Sequence, residues 1–129
     1  MIGGACDDLI YAAGGQDSLA GGLGRDTFQF RASSDSSAGS SDSILDFAAG
    51  VDRIDLRFID SDSNEAGDQA FEFIGSGAFQ KVAGQLRAFE TGAGQWRVEG
   101  DVDGDGAADF ALDVTLAGQA PLTVSDFIL

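Results

Sequence analysis

Apolar residues in the first thirty positions recur every nine residues, a period that belongs neither to an α-helix nor to a lone β-strand. Written in frame, residues 3–11 are GGACDDLIY, 12–20 are AAGGQDSLA and 21–29 are GGLGRDTFQ. Ile10, Leu19 and Phe28 share one position of the frame, and Asp8, Asp17 and Asp26 share another, two residues earlier. Each unit divides into about six residues of glycine-rich loop and about three of strand centred on the apolar position. Two units close one coil, so loops on one side return every two units and stack at roughly the 4.8 Å spacing of neighbouring strands. Asp8 is therefore expected over Asp26, and Asp17 over Asp35. The frame fades after three copies, because Ser37 stands where the apolar residue after Asp35 should be.

Beyond the repeat the pattern turns to short alternating runs. Ile44, Phe47, Ile54, Leu56 and Phe58 surround Gly50-Val51-Asp52 and predict two strands and a turn within residues 40–58. AFEFIG (70–75) and QLRAFE (85–90) predict further strands, with GAFQKVAG between them as a loop or short helical turn. Trp96 and Val98 alternate before DVDGDGAAD (101–109), and Phe110, Leu112 and Val114 alternate after it, which predicts a β-hairpin with an acidic tip. The fold class is all-β: a short parallel β-roll over residues 1–36, running into an antiparallel β-sandwich over residues 37–129 of the same domain.

Composition narrows the chemistry. The chain has 129 residues and a formal net charge of −15, with a pI near 4.1. That balance argues against nucleic-acid and anionic-membrane partners, which need basic surfaces. A content of 43% hydrophobic residues with ten phenylalanines argues against disorder. No apolar run approaches the ~20 residues of a membrane span, and the N-terminus shows no signal-peptide pattern. The absence of histidine excludes Ser-His-Asp catalysis, HExxH zinc sites and haem ligation by histidine. Cys6, the single cysteine, cannot form an internal disulfide or a cysteine metal cluster, and reads as a substituted loop residue.

The acids are 18 aspartates against four glutamates. Aspartate beside glycine is the composition of tight loops that offer oxygen to hard cations. Two stacked carboxylates repel unless a cation lies between them. Calcium takes about six to eight oxygens at roughly 2.3–2.6 Å, which two carboxylates and several loop carbonyls can supply. A phosphate-cradling loop at Gly22-Leu23-Gly24 is disfavoured, because no third glycine follows and TFQF alternates as a strand. Asp46 and Asp55 could be ligands, but caps or turn residues suit them better. Asp60, Asp62, Asn64 and Asp68 could form a further cation loop, although Glu65 and the alanines interrupt any standard spacing. Asp101, Asp103, Asp105, Ala107 and Asp109 resemble the first half of an EF-hand loop, but Leu112 stands where the bidentate glutamate is needed. Calcium or a purely polar turn both fit that tip.

The nonapeptide, DSSAGSSDSILDFAAGVDRIDL (35–56), GDQAFEFIG (67–75), GDVDGDGAADFAL (100–112) and the terminal SDFIL together resemble the repeats-in-toxin (RTX) class. More closely, they resemble the C-terminal module of serralysin-type secreted metalloproteases. The resemblance covers essentially the whole chain. It implies a first calcium site made by Gly4, Cys6 and Asp8 with Gly21, Leu23 and Asp26. It also implies that three acids beyond the repeats, Asp35, Asp42 and Asp52, close the roll against Ala13, Gly15 and Asp17. Cys6 in a glycine position, and Ala12-Ala13 in place of a glycine pair, depart from the family pattern and bear on affinity, since a positive φ suits neither residue type. The final Asp126, Phe127, Ile128 and Leu129 resemble an uncleaved signal for type I export, and equally a last strand packing on the sheet.

The function implied is a secreted calcium-binding module of a larger extracellular protein, without a catalytic domain of its own. Its implied partners are calcium ions, an upstream domain and the type I secretion machinery. An edge at Leu9, Ile10 and Tyr11 on the first coil leads to the expectation that further chain covers it. A carboxylate-pair hydrolase or lyase is disfavoured because the acids sit in cation-loop spacing. A free-standing adhesin or carbohydrate-binding module is the alternative, with Trp96 and Tyr11 as its sparse aromatic supply.

Overall fold

The computed structural model describes residues 2–12, 16–31, 33–37, 39–59, 71–118 and 121–129. Eleven strands run in chain order: β1 (Ile2–Gly4), β2 (Leu9–Tyr11), β3 (Ser18–Gly22), β4 (Thr27–Gln29), β5 (Asp42–Phe47), β6 (Arg53–Asp55), β7 (Glu72–Phe73), β8 (Gln85–Gly92), β9 (Gln95–Asp101), β10 (Phe110–Leu116) and β11 (Phe127–Ile128). Short 3₁₀ turns occupy Ser33–Ser36 and Val124–Asp126. The strands form a seven-stranded sheet in the order β1-β3-β5-β10-β9-β8-β7 and a four-stranded sheet in the order β11-β6-β4-β2.

Successive strands of the repeat alternate between the two sheets, which is what a coil of two nonapeptides requires. The apolar position of each unit then stacks on its equivalent one coil away. In the smaller sheet Ile10 pairs with Phe28, Phe28 with Ile54, and Ile54 with Phe127. In the larger sheet Leu19 pairs with Ile44, and Ile44 with Val114. All seven side chains are buried between the sheets. Phe28 packs on Phe47 at 6.2 Å between ring centroids, and Phe30 meets Phe110 edge-on at 5.5 Å. The apolar column of the smaller sheet removes water from one face of β2, β4, β6 and β11, and this burial holds strands of only two or three residues in place.

Parallel pairing reaches well beyond residue 36. β5 and β6 lie parallel to β3 and β4 and make a third coil, and β10 and β11 add parallel to them in turn. The two strands expected within 40–58 exist, but they enter different sheets. Among the described residues, antiparallel pairing of strands is confined to β8, β9 and β10. The boundary at 36/37 thus falls inside a continuous stack. Residues 31–41, with the first 3₁₀ turn, interrupt the nine-residue spacing without ending the roll. In that segment Ser37 bridges to Phe110, and the Ser36 hydroxyl donates to the Ala111 carbonyl.

Candidate metal centre

Two columns of aspartates line the loops of the roll. In the first column the Asp8 N–H donates to Asp26 Oδ1 at 3.0 Å, and the Asp26 N–H donates to Asp52 Oδ1 at 2.9 Å. Asp52 Oδ2 accepts the Ala48 N–H at 2.9 Å, and Asp126 Oδ1 accepts the Gly50 N–H at 2.7 Å. In the second column the Asp17 N–H donates to Asp42 Oδ1 at 2.7 Å. Asp26, Asp52 and Asp42 therefore each grip the preceding coil with one oxygen.

The other oxygen is the one that bears on cation binding. Asp8 Oδ2, Asp26 Oδ2 and Asp42 Oδ2 are buried and have no hydrogen-bond partner among the described residues. A buried carboxylate oxygen with nothing to compensate it is costly. The space beside Asp8 is edged by a second oxygen. A Cβ on Gly3 would lie 2.6 Å from Asp8 Oδ2 and 2.7 Å from the Gly21 carbonyl oxygen. Gly21 repeats the arrangement one coil on, since a Cβ there would collide with Asp26 Oδ2. Only glycine leaves room at this position. Carboxylate and carbonyl oxygens facing one small space are the donor set of a hard divalent cation.

Electrostatics point the same way. Burial pushes the Asp26 carboxyl above its ordinary value; the Asp8 N–H opposes that, and the charges of Asp52, Asp8 and Asp46 add to it. Asp42 is pushed up to about 6, chiefly by burial, against the Asp17 N–H and with the help of the Asp17 and Asp35 charges. Both sites would release this strain to a bound cation, because opposite charge favours the ionised form.

The positions named from the sequence fall as follows. Asp8 and Asp26 stack as expected, and Gly21 contributes its carbonyl to the same space. The Gly4 carbonyl accepts the Leu23 N–H at 2.9 Å, while the Leu23 side chain is exposed. Cys6 is exposed and its backbone lies outside the positive φ region, unlike Gly24 at φ +102° one coil away. Cysteine is thus accommodated without left-handed strain. Ala13 and Gly15 lie outside the described residues, as do Asp60, Asp62, Asn64 and Asp68.

The register differs from the expected one in two respects. Asp17 stands beside Asp42, as the family resemblance implies, and not over Asp35 as the nine-residue frame has it, because the chain between β4 and β5 is longer than one repeat. Asp35 is instead buried in the 3₁₀ turn, where its Oδ2 accepts the Arg31 N–H at 3.1 Å. Asp52 stands over Asp26 in the first column, so it does not face Asp17. The triplets Asp42-Ser43-Ile44 and Asp52-Arg53-Ile54 share the Asp-x-apolar form of Asp8-Leu9-Ile10. That form, sought without a fixed spacing, is the signal that identifies the third coil.

Asp46 and Asp55 both serve local structure. Asp46 accepts the Gly21 and Gly22 N–H groups, each at 2.9 Å. Asp55 is buried against Arg57, whose Nε and NH2 reach it at 3.1 and 3.0 Å. Burial alone would raise the Asp55 carboxyl, but the hydrogen bonds from Arg57 and Gln29 hold it below its ordinary value.

The hairpin tip is a separate acidic cluster. Carboxylate oxygens of Asp101, Asp103, Asp105 and Asp109 all lie within 4.8 Å of one another. Asp101 is buried; its Oδ1 accepts the Gly104 N–H at 2.8 Å and its Oδ2 the Gly106 N–H at 2.9 Å. Asp105 Oδ1 accepts the Ala107 N–H at 2.8 Å, and Asp109 Oδ2 the Val102 N–H at 3.0 Å. Leu112 is fully buried in β10, so the twelfth position of the EF-hand-like pattern is core. At the C-terminus, Asp126 and Phe127 are buried, Ile128 accepts the Leu56 N–H at 2.9 Å, and Leu129 packs against the core.

Stacked parallel coils with carboxylates and carbonyls turned into the loop columns define a β-roll of the RTX type. A family model described as Peptidase M10 serralysin C terminal matches residues 1–129, and the chain belongs to that family. Among solved structures, the AlgE6R3 subunit of the Azotobacter vinelandii mannuronan C5-epimerase is similar with a TM-score of 0.62 and 26% identity. That match covers 98% of this chain and 65% of the other, so the chain spans less than two thirds of that relative. The AlgE6R2 subunit of the same enzyme aligns over 100% of this chain and 91% of the other, at 22% identity and a TM-score of 0.48.

Proposed function

We propose that this chain is a calcium-binding, non-catalytic module of a larger secreted protein, and that calcium drives its folding after export. The observation that carries the reading is the set of three buried carboxylate oxygens, on Asp8, Asp26 and Asp42, directed into the stacked loops with no partner among the described residues. Asp8, Asp26 and the Gly21 carbonyl would hold one ion, with Asp17 and Asp42 on the opposite side holding another. The acids of the hairpin tip are a further candidate.

Where calcium is scarce, a net charge of −15 opposes bringing these loops together, and the chain stays open enough to be transported. Extracellular modules bind calcium with Kd of roughly 10⁻⁴–10⁻³ M. An ion that binds only the folded state contributes about 1–2 kcal/mol at a few-fold to tenfold excess over Kd. Several such sites are comparable with the net stability of a small domain. Family membership supports the calcium and secretion parts and the attachment to a larger protein; passage through type I machinery is part of the proposal. In this reading Asp126–Leu129 acts as the export signal before folding and as strand β11 after it. Circular dichroism in millimolar calcium and in excess chelator tests the switch. A β-sheet spectrum that appears only with calcium is expected; identical spectra would refute calcium-driven folding.

A further inference from the structure

Strand β5 carries an acid whose carboxylate reaches the loop of the neighbouring coil. Asp46 Oδ1 accepts the Gly21 N–H and Oδ2 accepts the Gly22 N–H, both at 2.9 Å. The Gly22 N–H and the Gly21 carbonyl belong to the same peptide unit, and a planar peptide turns as one body. That carbonyl oxygen and Asp8 Oδ2 lie 2.7 and 2.6 Å from a common point, the missing Cβ of Gly3. Fixing the N–H end of the Gly21–Gly22 peptide therefore fixes where its oxygen points. Two consecutive glycines are the freest backbone the chain can offer; here they close β3, where Gly22 pairs with Gly4 of β1, and the two Asp46 bonds add an anchor on the side facing away from β1.

We propose that Asp46 is a positioning residue for the first cation site: it locks the Gly21–Gly22 peptide so that the Gly21 carbonyl faces Asp8, without itself ligating the ion. The inference rests on the cation-binding reading above. Its two charge-assisted hydrogen bonds are the strong kind, and they are aimed at backbone rather than at the space beside Asp8. Asp46→Asn keeps one acceptor and replaces the other with a donor that faces an N–H. The change removes one bond and leaves every proposed ligand in place.

The test uses the full chain loaded with calcium. Ion content is counted, and release into a fluorescent chelator is followed by stopped flow for wild type, Asp8→Asn, Asp46→Asn and Asp46→Glu. Asp8→Asn is expected to lose an ion; wild-type ion content in that variant would overturn the underlying site, independently of Asp46. Asp46→Asn is expected to keep the ion count while one release phase quickens by about tenfold, the scale of one charged hydrogen bond. Wild-type release would overturn the proposal, and so would outright loss of an ion, which would make Asp46 a ligand. A uniform quickening of every phase would also overturn it, because a clamp that only stabilises the fold acts on all sites together. Should Asp46→Asn fail to fold, Asp46→Glu decides. It keeps the charge but displaces the carboxylate by one methylene, so one quickened phase is expected and wild-type release overturns the idea.

Discussion

At Gly21 the roll has no room for a side chain. A Cβ there would strike Asp26 Oδ2, Cγ and Cβ, and the obstacle cannot swing away because Asp26 Oδ1 holds the Asp8 N–H. Gly21→Ala is therefore expected to destabilise the calcium-loaded fold by about 1–3 kcal/mol, the usual scale of overpacking. Denaturant unfolding in saturating calcium measures it, and an unchanged midpoint would contradict the close approach. Asp42 sets a pH dependence. Its carboxyl is raised from 3.8 to about 6 in the fold, so the folded chain holds a proton that the unfolded chain has released. The folded state then binds more protons across that window, and stability without calcium falls as pH rises from 3.8 toward 6. With Asp42 as the proposed ligand, proton and calcium would compete for the same oxygen. Calorimetry should show calcium binding weakening as pH is lowered through about 6, and a flat affinity profile would count against Asp42 as a ligand. The nine-residue frame makes Asp8, Asp17 and Asp26 legible from the sequence. The role of Asp46 is not, because its partners Gly21 and Gly22 lie about 25 residues away and are approached only through the lengthened third coil.

The acidic hairpin between β9 and β10 is one element in which two tasks separate. Asp101 is buried and its two oxygens receive backbone N–H groups of the tip, whereas Asp103 and Asp105 are exposed. Asp101→Ala should cost about 1–3 kcal/mol whether or not calcium is present, since it strands half-buried donors of the tip and empties a buried position. Asp105→Asn keeps an acceptor for the Ala107 N–H and removes one of four clustered charges, so it should not destabilise the calcium-free chain and should weaken ion binding. Thermal melts of both variants distinguish the tasks; equal effects of the two substitutions would contradict this division. The alternation of Trp96, Val98, Phe110, Leu112 and Val114 already announces this hairpin in the sequence. The destination of β5 and β6 is less visible. Two apolar runs around a Gly50 turn read equally well as a hairpin and as strands of opposite sheets, and local pattern carries no information on which sheet a strand joins.

For the whole molecule, charge and burial oppose each other. A net charge of −15 on 129 residues resists compaction, and the buried columns of Ile10, Phe28, Ile54 and Phe127 and of Leu19, Ile44 and Val114 favour it. In the function proposed above, divalent ions in the loops would tip that balance by removing the repulsion where the coils stack. Their attraction to the chain is largely electrostatic, so salt should weaken it as the screening length shortens from roughly 30 Å at 0.01 M to about 8 Å at 0.15 M. The calcium midpoint of folding, followed by circular dichroism, is expected to move to higher calcium as sodium chloride is added. A midpoint independent of salt would mean that the global charge plays no part.

The sequence by itself determined the β-roll, the position of its loops and the chemistry they offer. Those properties follow from a local period: one aspartate and one apolar residue per nine positions force the chain to turn and to bury the same face each time. Only the tertiary structure decided which acids meet beyond the Asp8–Asp26 pair. Residues 31–41 break the period, so the partner of Asp17 changes from Asp35 to Asp42, and that of Asp26 becomes Asp52. Stacking is judged by burial of Ile44 and Ile54 against Leu19 and Phe28, and not by counting residues. An insertion in which Ser36 and Ser37 pack against β10 leaves that burial intact, which is why the roll continues where the repeat ends.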